Sequence, residues 1–169
     1  MAIGATLLLE LTLICIRSLS RSVPTNYFLL ALHSVTQAYS ISMICQQYTL
    51  QSVFLVLVAT SAAFIAMSLY AAFTKYDITI YYSIVSGALM CTFTLVVLVV
   101  LTSLPLLIVI YNFIGVLVAL IFVAIDTQII LKDSKWGIGS DDYIVAALML
   151  KVDFIAIFLH LLSILGSRK

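Results

Sequence analysis

Asp126 and Asp153 each sit well inside an apolar segment, and that placement constrains the fold more than any other feature of the chain. They lie in the stretch IFVAIDTQIILKDSKWGIGSDDYIVAALMLKVDFIAIF, residues 121–158, one on each side of a short polar loop. A carboxylate in hydrocarbon is costly, so such residues face a bundle interior, a partner or a water path. Lys132 and Lys135 suit a helix C-terminus and Gly137 a C′ position. Ser140, Asp141 and Asp142 suit the start of the next helix. With a turn there, each Asp lies about ten to twelve residues from it. At about 1.5 Å of rise per residue the two depths then differ by only a few ångströms. The carboxylates are therefore expected to meet in an antiparallel hairpin. Two acids sharing a dry site cannot both ionise easily. A proton-sensitive gate or cation site follows as the first functional idea, and a hydrogen-bonded pair that only locks two helices is the alternative.

The rest of the chain gives those helices a membrane to sit in. Of 169 residues, 64% are hydrophobic and 9% charged, with a mean hydropathy of +1.27. A soluble domain carries roughly 25% charge. At about 20 residues per span, the chain reads as an all-α polytopic bundle of six spans in a single transmembrane domain, residues 1–169. The spans are expected at about 2–16, 27–45, 50–73, 78–101, 106–131 and 143–165. Thr25 or Asn26 is expected to cap the second span. That span is the most polar (His33, Ser34, Thr36, Gln37, Ser40, Ser42) and is expected to face other helices. The third is rich in Ala and Ser, which permits close approach. Pro24 and Pro105 are expected to break the chain.

Orientation follows from the basic residues. Arg17, Arg21, Lys75, Lys132 and Lys135 fall in turns one, three and five, whereas turns two and four hold none. By the positive-inside rule the odd turns are cytoplasmic, and the Asp pair lies nearer that side. No basic face suggests a nucleic-acid partner. Cys15, Cys45 and Cys91 have no paired spacing and read as small apolar residues. The N-terminus lacks the basic region of a signal peptide.

Glu10 and Arg17 are seven apart and share a helical face. Arg17 is a candidate latch onto the Asp pair or a positive-inside anchor, Glu10 a candidate ion-path residue, and Arg21 an anchor. Asp77, Asp141 and Asp142 read as helix-start residues, Trp136 as an interfacial anchor, and His33 and His160 as packing or polar contacts. Gln128 points away from Asp126 and its role is open. Lys151, two residues from Asp153, is expected to snorkel rather than pair with it. Asp126 and Asp153 form at most a weak, transient Ca²⁺ site, because two carboxylates are too few for a tight oxygen cage.

Ala124-Ile125-Asp126-Thr127-Gln128, the polar loop, Asp141 to Leu148 (DDYIVAAL), and Asp153 with Phe158 resemble the last two helices of the transmembrane Bax inhibitor motif family. Residues 74–79 (TKYDIT) resemble the start of an earlier helix in its lifeguard and Golgi anti-apoptotic protein-like branch. The resemblance covers nearly the whole chain and implies a seven-helix fold, here without the family's first helix. It implies a pH-sensitive calcium leak pathway that restrains apoptosis, with Asp126 and Asp153 as pH sensor and gate. It also implies an endoplasmic reticulum or Golgi membrane, with cell-death regulatory membrane proteins as partners. No tightly bound cofactor is expected; Ca²⁺ is the permeant ion, protons the regulator and membrane lipid the surroundings. The departure is Leu148-Met149-Leu150-Lys151-Val152-Asp153, where the family usually reads Leu-Asn-Leu-Tyr-x-Asp.

A non-conducting scaffold that binds other membrane proteins is the second class of function. An intramembrane aspartyl protease is a distant third. Its Gly-x-Gly-Asp motif is approached by Gly137-Ile138-Gly139-Ser140-Asp141, but Ser140 intervenes and Asp141 lies in a loop, so no enzyme activity is expected.

Overall fold

The computed structural model describes residues 21–102, 104–131 and 142–169, together with Leu9 and Thr12. Five long helices carry it: α1 (Thr25–Cys45), α2 (Leu50–Phe73), α3 (Tyr82–Thr102), α4 (Pro105–Leu131) and α5 (Tyr143–Leu165). A 3₁₀ turn, Ile78–Tyr81, leads directly into α3. Among the described residues five segments are long and apolar enough to cross a membrane, α3 counting with its 3₁₀ turn. The supported count is therefore five, not the expected six. The expected first span, about 2–16, lies outside the described residues apart from Leu9 and Thr12.

Both prolines sit closer to their helices than expected. Pro105 is the first residue of α4, where a fixed φ suits the helix and its missing N–H costs nothing. Pro24 takes the N-cap position of α1, so neither Thr25 nor Asn26 caps it. Asn26 is instead fully buried. Its Oδ1 accepts from the Tyr27 amide and its Nδ2 donates to the Tyr143 hydroxyl at 3.0 Å, joining the starts of α1 and α5. The α2 N-terminus is capped in the usual way, by Thr49 accepting from the Ser52 amide.

α4 is the central element, packed against α5, α2 and α3. Val118, Ile125 and Ile129 face Val85 of α3, whereas Ala119 and Val123 meet Ile157 of α5 beside Phe64 and Met67 of α2. Lipid tails are as apolar as these side chains, so close packing rather than dehydration holds such helices together. α1 attaches mainly to α5: Ile144 and Leu148 take Leu29 and Leu30, and the Tyr27 and Tyr143 rings lie 6.0 Å apart.

The polarity of α1 does not make it an interior helix. Only Asn26, His33 and Gln37 are buried. Ser34, Thr36 and Ser40 donate to carbonyls of their own helix. A hydroxyl satisfied in this way carries no need for a partner helix.

At the end of the bundle where α5 finishes, the chain folds back as a strap. The Thr49 amide donates to Ser167 O at 2.9 Å and the Lys169 amide to Gln47 O at 3.1 Å. Tyr48 and Arg168 form an isolated antiparallel bridge. Gly166 lies so close to the Tyr48 ring that an added methyl carbon would come within 2.5 Å of it.

Candidate functional site

Asp126 and Asp153 come together. Asp126 is buried on α4 and Asp153 is half-buried on α5, and their side chains share a hydrogen bond. Two carboxyl groups can do this only when one supplies a proton. The remaining Asp153 oxygen, Oδ2, is buried without a hydrogen-bond partner, as is Thr127 Oγ1 next to Asp126. A cavity of about 240 Å³ lies against the pair, between α3, α4 and α5. Asp153, Thr92, Gly115 and His160 are among its lining residues. It therefore runs from the pair toward the strapped end of the bundle.

His160 marks the far end of that cavity. Its Nδ1 lies 3.1 Å from Asn112 Oδ1, and Asn112 Nδ2 donates to Ile108 O at 2.7 Å. The Tyr111 ring stands edge-on to it at 5.2 Å. Gly115 makes room, since an added methyl carbon would come within 2.5 Å of the imidazole. Only glycine leaves space for a histidine here. Among the described residues no third His, Cys, Asp or Glu joins Asp126 and Asp153 in a group able to hold a metal.

Two further polar contacts were not assigned from the sequence. Lys151 does turn away from Asp153, yet it finds partners on α1: Nζ lies 2.8 Å from His33 Nδ1 and donates to Ser34 Oγ at 3.0 Å. His33 is fully buried, with Nε2 unpartnered, and so is Gln37 Oε1 one turn further along α1. Arg21, expected as an anchor, grips Asp142 with a two-pronged ion pair, Nε to Oδ1 and Nη2 to Oδ2, both 2.7 Å. Asp142 stands at the N-cap position of α5 but makes no side-chain cap there. Its carboxylate is instead drawn to Arg21, 121 residues earlier in the chain.

Gln128 has the clearest role that sequence reasoning left open. It is fully buried and every side-chain polar atom is used. Oε1 accepts from the Ile78 amide at 2.8 Å, and Nε2 donates to Ala71 O at 3.2 Å and Tyr76 O at 2.9 Å. The link between α2 and α3 is thereby clamped onto the same helix that carries Asp126. The signal was present: an amide in an apolar span cannot satisfy itself and must reach something. Glu10, Arg17, Lys132, Lys135, Trp136, Gly137, Ser140 and Asp141 lie outside the described residues.

Apolar helices on this scale, tied through buried polar side chains and an acidic pair, define an integral, multi-pass membrane protein. The model of the family described as Inhibitor of apoptosis-promoting Bax1 matches residues 1–169, and the chain belongs to that family. Similar curated proteins include Protein lifeguard 3 of Homo sapiens, 29% identical over 167 residues, a match covering 94% of this chain and 52% of that protein. Protein lifeguard 3 of Mus musculus is 28% identical over the same coverage. The chain thus spans about half the length of the curated relatives it matches.

Proposed function

We propose that this protein is a pH-sensitive calcium leak channel of an intracellular membrane, endoplasmic reticulum or Golgi, and that it tempers apoptosis through calcium homeostasis. The observation that carries the reading is the hydrogen bond between Asp126 and Asp153 inside a bundle of apolar helices. In acid, one shared proton holds the carboxyl groups together and α4 against α5. As pH rises the proton leaves, two like charges repel at close range, and the pair parts. The freed carboxylates then attract Ca²⁺, which favours oxygen ligands. Two carboxylates give a weak site from which the ion can leave again.

The surroundings support a hydrated route. Asp153 Oδ2, Thr127 Oγ1, His33 Nε2, Gln37 Oε1 and Thr60 Oγ1 are buried polar atoms without a protein partner. Such atoms are costly in hydrocarbon unless water or an ion meets them. The cavity against Asp153 extends this polar surface to His160. Cell-death regulatory membrane proteins are the partners this reading implies.

Calcium flux into liposomes holding the purified chain, scanned from about pH 5 to 8 to bracket a carboxyl sharing its proton, tests it. The wild type is expected to leak more as pH rises. In Asp126→Asn or Asp153→Asn the amide supplies the hydrogen that the shared proton supplies, so leak is expected to stay low and independent of pH. Liposomes that stay tight to calcium at every pH, with protein shown to be folded, would overturn the channel reading and leave a scaffold.

A further inference from the structure

A second cavity, of about 490 Å³, lies away from the acidic pair, between the end of α2, the 74–81 segment and α4. Its size falls in the range of small-molecule pockets. Tyr70, Tyr76 and Tyr81 surround it with the Asp77 carboxylate, and Ile121 and Ala124 of α4 contribute apolar surface. The three tyrosines are well exposed, whereas Ala124 is buried, so the aromatic groups form the rim and α4 the base. Ile121, Ala124 and Gln128 follow at spacings of three and four, hence on one face of α4. The residue that clamps the α2–α3 link therefore shares a face with the cavity base. Its bonds to Ala71, Tyr76 and Ile78 fix the wall of the cavity, and Thr79 holds Asp77 through its amide and hydroxyl.

The link joins two spanning segments, so the cavity opens at the depth of lipid headgroups. An aromatic belt there is ordinary, but belt tyrosines lie flat against lipid. Here three of them gather round one concavity with a carboxylate among them. Tyrosine faces beside a negative charge are the chemistry that captures ammonium groups. Lys75, exposed two residues before Asp77, puts a cation beside the same opening. One cation and one anion on a short fixed segment match the separated charges of a phosphoammonium headgroup. An anionic headgroup would instead meet Asp77.

We propose that this cavity is a binding site for the headgroup of a zwitterionic phospholipid, with the ammonium against Tyr70, Tyr76, Tyr81 and Asp77 and the phosphate toward Lys75. The apolar base takes the first methylenes of the lipid. Retention of lipid by the whole chain tests it, by native mass spectrometry of protein released from nanodiscs of equal parts phosphatidylcholine, phosphatidylethanolamine and phosphatidylglycerol. Wild-type protein is expected to retain the two ammonium lipids about fivefold over phosphatidylglycerol, the ratio that about 1 kcal/mol of cation–π attraction gives. Tyr76→Ala/Tyr81→Ala is expected to bring the three lipids to parity, while Tyr76→Phe/Tyr81→Phe keeps the preference because ring faces rather than hydroxyls do the binding. Equal retention of all three lipids by the wild type would overturn the site. So would an alanine pair with unchanged preference, or a phenylalanine pair that loses it. Competition by soluble phosphocholine, expected to lower retention, separates headgroup recognition from capture of the acyl chains; lipid retention unmoved by saturating phosphocholine would overturn it too.

Discussion

α3 and α4 are both strongly apolar and of spanning length, yet they sit in opposite surroundings. α3 buries Val85 and Thr92, whereas α4 buries eleven residues, Asn112, Asp126, Thr127 and Gln128 among them. The polar side chains explain the difference. In α3, Ser86, Thr92, Thr94 and Thr102 all donate to carbonyls of their own helix, so that helix can face lipid. In α4, Gln128 reaches the α2–α3 link, Asp126 reaches α5, and the Asn112 carbonyl reaches His160. Their groups cannot be satisfied at home. Within a membrane, hydropathy says that a helix spans, and the polar groups it cannot satisfy itself say which way it turns.

That contrast ranks the substitutions that would break it. Gln128→Leu strips partners from the Ile78 amide and from the Ala71 and Tyr76 carbonyls. Each orphaned backbone group costs on the order of 1 kcal/mol in this setting. A loss of about 3 kcal/mol is expected in a denaturant titration from mixed micelles. Gly115→Ala forces the His160 ring aside and is expected to cost about 2 kcal/mol; the imidazole proton signals should shift as the Asn112 contact is lost. Arg21→Ala leaves the buried Asp142 without its cation. Because Arg21 itself is half-exposed and the site reaches water, the expected loss is nearer 1 kcal/mol than the value for a fully buried pair. Thr94→Val removes a hydroxyl bonded only to its own helix, and the same titration should move by less than about 0.5 kcal/mol. If Thr94→Val cost as much as Gln128→Leu, the distinction between the two helices would fail.

Sequence reasoning reached the parts of this structure governed by cost along one helix. The helix limits lie within two residues of the hydropathy limits for all five described spans, because apolar runs and breakers are local. The meeting of Asp126 and Asp153 was legible because both depths could be counted from one turn. Reasoning went astray where polarity was counted without asking how each group is satisfied. Ser34, Thr36 and Ser40 made α1 look like an interior helix, but they bond to their own backbone. Partners distant in sequence were out of reach for another reason. Periodicity assigns Gln128 a face, but not the carbonyls 52 and 57 residues earlier that it meets. The same holds for Lys151, whose contact with His33 spans 118 residues.

The strap has a mechanical consequence. Paired to the α1–α2 turn beyond Leu165 and steadied at His160 by Asn112, the last turns of α5 act as a fulcrum, with Asp153 out on the lever arm. From Leu165 to Asp153 that arm is about 18 Å, so a tilt of about 5° carries the carboxyl roughly 1.5 Å, enough to take a hydrogen bond beyond its reach. A hinge at one end lets a very small rotation do the work of a gate.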